Sequence, residues 1–499
     1  MEFLEFTPEN NDLDLDRIHR LRSAMQNRKA SLCSERAVIY TRSFQETEGQ
    51  NWLLRKARAF AATLKEMTIW IGDDSLIFGC QASRNFAAPV FPEYSIDWVI
   101  DELDEFARRD GDVFQVDPDT AASLRSIQSY WHGQTHEDAV KAATPESVRL
   151  AEQQKVIHRG GISMSGDGHI VPDHEMLLSR GFRSLADECR ERMAAVEDGH
   201  QRAFYEAATI CLEASLDWIK RFSRLAGELA EKETRQQRRQ ELLHMQELAS
   251  HLMEHPAETF EEALQTVFLV HVLQMIESNG HSFCYGRFDQ YMDPYYERDL
   301  AAGRLSREKA LELLTHMFLM NSSCNKVRPY GHTRFSQGYP LYSNLMIGGR
   351  RPDGTDGTSP LSYLCVEAMN LTAMAEPNFS MRYNGDTPDD LLRLAAKLIA
   401  TGCGMPSMFN DDTAAKAIHD LGIPWPDAND YCAIGCVETG VPGKYGHRAT
   451  GMTYVNWGKI LELLLNGGTD PDSGICLYPV PETFDSWDAL WKSWNDLLK

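Results

Sequence analysis

Apolar residues in the first half of the chain recur at helical spacing. Between Leu15 and Met67, the set Trp52, Leu53, Ala57, Phe60, Ala61 and Leu64 repeats every three to four positions. The same period places Ile96, Val99, Ile100, Leu103 and Phe106 on one face of a helix over 95–109, and Pro118 with Thr120 opens another. Long helices are predicted from Met176 to His251, with the charged run Glu231–Glu241 as a solvated face. Phe260–Ile276 is apolar throughout and ends at Glu277-Ser278-Asn279-Gly280. In the second half the pattern changes. Helices over 307–320, 359–371, 388–400, 411–421 and 455–465 alternate with short strand-like runs, among them Phe379–Tyr383, while 402–410 reads as a loop. A helical N-terminal half followed by alternating strands and helices predicts an α/β architecture.

Two stretches depart from this rhythm. Lys155–Pro172 is rich in glycine and holds His158 and His169 between helices, the mark of a functional loop. The other is Tyr431-Cys432-Ala433-Ile434-Gly435-Cys436-Val437-Glu438, followed by the turn Val441-Pro442-Gly443-Lys444. If 435–438 is extended, the Cys436 thiol and the Glu438 carboxylate share one side of the backbone. Taken alone, such a pair is most simply a buried cysteine and a surface glutamate.

Composition narrows the function. The net charge of −23 disfavours nucleic acid and anionic membrane, which need a concentrated basic face. No apolar run is long enough to span a bilayer, and the acidic N-terminus predicts no signal peptide. Eleven scattered cysteines point to a reducing cytoplasm rather than a disulfide framework. Gly166-Asp167-Gly168 lacks the further glycine of a dinucleotide motif. Cys432 and Cys436 lack a third cysteine for an iron–sulfur cluster, since Thr439 stands at the required place. A Cys/His hydrolase could draw on His169 or His447, but no local protease signature accompanies Cys436.

Gly435-Cys436-Val437-Glu438 with Val441-Pro442-Gly443-Lys444 resembles the cysteine loop of glycyl radical enzymes, the pyruvate formate-lyase family. Further segments resemble that family in the expected order from about Arg36 onward. They are Gly168-His169-Ile170-Val171-Pro172-Asp173, then Asn279-Gly280-His281-Ser282 with Gly286-Arg287-Phe288-Asp289-Gln290-Tyr291, and Arg328-Pro329-Tyr330-Gly331-His332-Thr333. Gly338-Tyr339-Pro340 with Asn344 and Gly348-Gly349, Pro377–Arg382, and Gly404-Met405-Pro406 with Phe409-Asn410-Asp411 follow. The resemblance implies a ten-stranded α/β barrel of two antiparallel five-stranded half-barrels wrapped in helices. It also implies a stored glycyl radical, no metal or nucleotide cofactor, a radical S-adenosylmethionine activating enzyme and a homodimer.

Ile434-Gly435 precedes Cys436, so the adjacent cysteine pair of the acyl-transferring members is absent. Cys-x-Glu instead resembles the eliminase branch of dehydratases and lyases. The resemblance then implies Cys436 as the thiyl site and Glu438 as the base. It places His169 and His281 on the departing oxygen and Ser282 on the hydroxyl. Arg287 and Asp289 are expected to form a structural ion pair. The diol dehydratases carry an Asp shortly after Cys-x-Glu, and 445–451 has none. His447 and Arg448, with Arg328 or Arg334, are therefore expected to contact an anionic or larger polyol. No Arg-Val-x-Gly-Tyr-like motif occurs, and the chain stops inside an amphipathic pattern at Trp491–Lys499. The expectation is that residues 1–499 are the major domain and that the radical glycine lies outside this chain. Formate acetyltransferase activity is the alternative enzyme reading, and an inactive fragment or scaffold the alternative to an enzyme.

Overall fold

A computed structural model gives the fold and describes residues 12–159, 168–334, 336–448 and 453–498. The expected α/β character and helix-rich first half are both present. Helices Leu15–Gln26, Glu35–Glu46, Trp52–Glu66 and Pro118–Trp131 lead into the three long helices His174–Ala195, Gly199–Lys232 and Gln236–Glu254. Among the described residues, no helix is long and apolar enough to cross a membrane.

Short strand pairs include β1 (Ser31–Cys33) with β2 (Ala87–Pro89), and β3 (Ile157–Arg159) with β12 (Thr453–Val455). β4 (His169–Ile170) pairs antiparallel with β11 (His447–Arg448). The centre is a parallel sheet in the order β5 (Gly286–Arg287), β6 (Asn344–Gly348), β7 (Asn378–Tyr383) and β8 (Ser407–Asn410). Helices cross between the strands, as a parallel sheet requires. Against this sheet lies an antiparallel hairpin, β9 (Cys432–Ile434) and β10 (Glu438–Gly440).

Strand alternation explains the layering. Leu345 and Ile347 of β6, with Phe379 and Met381 of β7, join the main core beneath the outer helices. Met346, on the opposite face, packs with Cys432, Ala433 and Ile434 of the hairpin and with Val171 and Cys284. On β7, Ser380 and Arg382 alternate with the core residues and meet polar partners. Arg382 is fully buried, pairs with Asp411 at 2.7 Å, and donates to the carbonyls of Tyr431 and Asn429, both at 2.8 Å. At the other end of the sheet, the Asn344 and Asn378 side chains donate to the Gly435 carbonyl at 3.2 and 3.5 Å. The strand β9 thus runs along the inner face of the sheet and is held at both ends.

The helix Phe260–Glu277 supplies the next anchor. A Thr259–Glu262 capping box starts it, and it is buried all round. It ends at Ser278, and the chain then turns through Gly280, His281 and Ser282 with φ of +46°, +85° and +70°. Two consecutive non-glycine residues in the left-handed region are a costly conformation, of a kind concentrated at functional sites.

Several expectations need correction. Residues 402–410 contain the strand β8; its small edge contribution has no strong apolar alternation to reveal it. The 95–109 segment is broken into Asp97–Glu102 and a short turn at Phe106–Arg108. The run 231–241 spans a helix break, and Arg238 is buried, donating to the carbonyls of Ser75 and Gly72. Gly435–Glu438 is not extended: it is the reversal of the hairpin, with Gly435 at φ +65°. The glycine-rich run 160–167, including Gly166, lies outside the described residues, as do residues 1–11.

Candidate active site

The hairpin tip lifts Cys436 and Val437 into exposed positions, while Gly435 stays buried between flanking groups. The Gly435 peptide is held on both sides. Its N–H donates to the Cys284 sulfur at 3.1 Å, and its carbonyl accepts from Asn344. Cys284 is buried, which pushes its thiol up to about 12, and its S–H donates back to the Ser282 carbonyl at 3.4 Å.

Four of the expected residues converge here. A Cβ placed on Gly435 would lie 2.7 Å from His169 Cδ2, 2.7 Å from Ser282 Oγ and 3.0 Å from Glu438 Oε2. Only glycine fits this point, for the left-handed backbone and for the crowding. His169 Nε2 stands 4.0 Å from Glu438 Oε1. The His169 and His281 rings are 5.3 Å apart, and His281 meets the Tyr342 ring at 5.0 Å. The Ser282 hydroxyl is fully buried and has no hydrogen-bond partner within the described residues.

Packing on the inner side of Cys436, and then the Glu438 charge, raise its thiol pKa; Lys326 opposes them. A raised pKa keeps the sulfur protonated at neutral pH. A protonated thiol is a poorer nucleophile than a thiolate, and its S–H bond is the one a hydrogen-atom exchange would use. Cys432 is fully buried in the hairpin core. No group of three or more His, Cys, Asp or Glu among the described residues is arranged to hold a metal ion.

The other expected contacts come from separate segments. Arg328 is buried and donates to the Asn279 carbonyl at 3.2 Å, so it braces the turn carrying His281 and Ser282. In β11, His447 is exposed and pairs with Ile170, while Arg448 stands opposite His169 in the register. Arg334 is exposed. Arg287 and Asp289 do not pair with each other. Arg287 binds Asp430 at 2.8 Å and the Gly348 carbonyl at 3.0 Å. Asp289 accepts from Gly348 N at 2.8 Å and Ser362 Oγ at 2.6 Å.

Four further residues support the site. Cys284, Asn344 and Lys326 matter through contacts with residues far away in sequence. Glu376, buried, accepts backbone N–H groups from Leu341, Tyr342 and Ser343 at 2.8, 2.7 and 3.1 Å and so shapes the approach to β6. Its position before Pro377, at the entry to β7, was the available hint.

A thiol-bearing hairpin laid along the inner face of a helix-wrapped parallel sheet defines a class of protein. This chain belongs to the pyruvate formate lyase-like family, whose model matches residues 9–499. Its relatives include the probable dehydratase YbiW of Escherichia coli, 37% identical over 94% of this chain and 60% of that protein. The (2S)-3-sulfopropanediol dehydratase of Klebsiella oxytoca is 32% identical over 97% of this chain and 59% of its own length. Among solved structures, the B12-independent glycerol dehydratase from Clostridium butyricum superposes with a TM-score of 0.92 at 33% identity, covering 98% of this chain and 62% of that one. The chain therefore has the α/β barrel fold of this family, and its described residues form one four-stranded parallel sheet of it with shorter strand pairs rather than ten strands. The chain spans about 60% of the length of these curated relatives.

Proposed function

We propose that this chain is the catalytic part of a glycyl radical lyase or dehydratase acting on a hydroxylated polar small molecule. The observation that carries the reading is the convergence of Glu438, His169 and Ser282 around Gly435, next to the protonated thiol of Cys436. The neutral thiol, the carboxylate and the imidazoles suit a radical glycine partner, and a neutral S–H is the form that exchanges hydrogen atoms. When present, that glycine supplies the unpaired electron; it is proposed to lie outside these residues and to be installed by a radical S-adenosylmethionine activating enzyme. A homodimer is part of the same proposal.

In this reading Cys436, once its own hydrogen atom has gone to that glycine, takes a hydrogen atom from the carbon bearing a hydroxyl. Glu438 takes the hydroxyl proton, whose acidity rises once the carbon is a radical. Ser282 orients that hydroxyl. His281 and His169 receive the departing oxygen from the neighbouring carbon, and proton transfer of this kind contributes about 10²–10⁴-fold. Arg328, His447 and Arg448 are proposed as contacts to an anionic group on the substrate, either directly or by shaping the walls beside His169 and His281. Elimination is favoured over formate acetyltransferase chemistry because residue 435 is glycine, buried by its neighbours, and leaves no room for a second thiol.

The test is anaerobic activation of the full-length protein, followed by electron paramagnetic resonance and a substrate screen. A glycyl doublet and loss of water from a phosphorylated polyol are expected. Coenzyme A-dependent formate production would sink the elimination reading, and turnover of plain propanediol would sink the anionic-substrate reading.

A further inference from the structure

Lys326 is a cationic group at this site that the scheme above does not use. It is buried, on the segment following Cys324 and Asn325, and its ammonium contacts His281 Nδ1. Its charge also reaches the Cys436 thiol and the buried Glu376 carboxylate. The Tyr342 ring lies 6.0 Å from Nζ, and Arg328, His332 and Asp112 share the small cavity on its other side. A lysine ammonium can only donate, so Nδ1 of His281 must accept, and the ring proton sits on Nε2. A neutral Nε2–H imidazole is by itself a weak acid. It can deliver its proton only if another reaches Nδ1 at the same time.

We propose that Lys326 is the proton reserve for the leaving group, acting through His281. The proposal rests on the elimination reading for its chemistry. The carbon–oxygen bond breaks with its electron pair on the departing oxygen. That oxygen takes the Nε2 proton of His281, and His281 Nδ1 takes a proton from Lys326. Glu438 has meanwhile gained the proton of the substrate hydroxyl, so the site loses one proton at Lys326 and gains one at Glu438, and water leaves. The hydrogen atom taken by Cys436 returns to the product radical. His169, 4.0 Å from Glu438 and beside the His281 ring, is placed to return the proton from Glu438 toward Lys326. Lys326 is thus a positioning residue, fixing the tautomer and the acidity of His281.

Two measurements test this. The first needs no turnover: nitrogen-15 resonance of labelled histidines in the intact chain at neutral pH, with His281 assigned by its loss in His281→Gln. The expected result is a neutral His281 with the proton on Nε2, retained in Lys326→Arg and lost as a single tautomer in Lys326→Met. A proton on Nδ1 in the wild-type chain overturns the proposal without touching the elimination reading. The second uses the activated full-length enzyme and the substrate that the wild type turns over. Arginine keeps the charge and the hydrogen bond but cannot release a proton. Lys326→Arg and Lys326→Met should therefore both lose kcat by about 10²-fold or more, with KM little changed. Wild-type kcat in Lys326→Arg would reduce Lys326 to a structural cation and refute the relay.

Discussion

Gly435→Ala is the sharpest perturbation of the site. The added methyl would meet His169 Cδ2 and Ser282 Oγ at 2.7 Å, whereas carbon atoms in contact settle at about 3.5–4.0 Å. Something must move by about 1 Å, and the candidates are the side chains that carry the proposed chemistry. An L-residue at φ +65° costs about 1–2 kcal/mol, and forcing a methyl into a packed site about 1–3 kcal/mol more. The expected loss of stability is about 2–5 kcal/mol, read as a lowered urea midpoint with an unchanged slope. The hairpin tip can relieve part of this by shifting outward, because Val437 is 66% exposed. That shift would move the Cys436 sulfur, and a displacement of about 1 Å at a reacting atom costs about 10²-fold in rate. Turnover should therefore fall by at least that factor even where the variant stays folded. A Gly435→Ala enzyme with wild-type stability and turnover would refute the convergence around Gly435.

Three further outcomes follow from the supporting contacts. Cys436 in a Cys476→Ser background should react with iodoacetamide with a midpoint pH above that of a free thiol, and Glu438→Gln should lower that midpoint by removing a negative neighbour; a midpoint below free cysteine would contradict the neutral-thiol argument. Burial raises the Glu376 pKa, so the folded state binds more protons than the unfolded one, and stability should fall as pH rises from the ordinary glutamate range through the folded value. Glu376→Gln should flatten that slope in pH-dependent urea denaturation, while Glu376→Ala, leaving three backbone N–H groups without their acceptor, should cost about 3 kcal/mol or more at any pH. Arg382→Met strands the fully buried Asp411 carboxylate and frees the Tyr431 and Asn429 carbonyls, an expected loss of about 3–5 kcal/mol in the same assay.

The parts of the fold that were legible in the sequence are those set by local periodicity. Phe260–Glu277 and Arg307–Asn321 announce themselves through apolar spacing and caps, and β7 through the alternation of Phe379 and Met381 with Ser380 and Arg382. Cys436, Glu438, His169, His281 and Ser282 were legible because each sits in a motif, and the structure brings them to one place. What escaped depends on distance in sequence. The turn at Gly435 is dictated by Cys284 and Asn344 on other elements, so the isolated stretch could equally be extended. The separation of Arg287 from Asp289 reflects the competing partners Asp430, Gly348 and Ser362, none of them adjacent in the chain. Lys326 carries no motif; its contact with His281 emerges only when the turn at 280–282 places that ring against it.

Cys436 is proposed to pass the radical to the substrate. The most direct measurement is electron paramagnetic resonance together with product formation, on anaerobically activated full-length protein carrying Cys436→Ala. An intact glycyl doublet and no product are expected. Product formation at the wild-type rate would contradict that role.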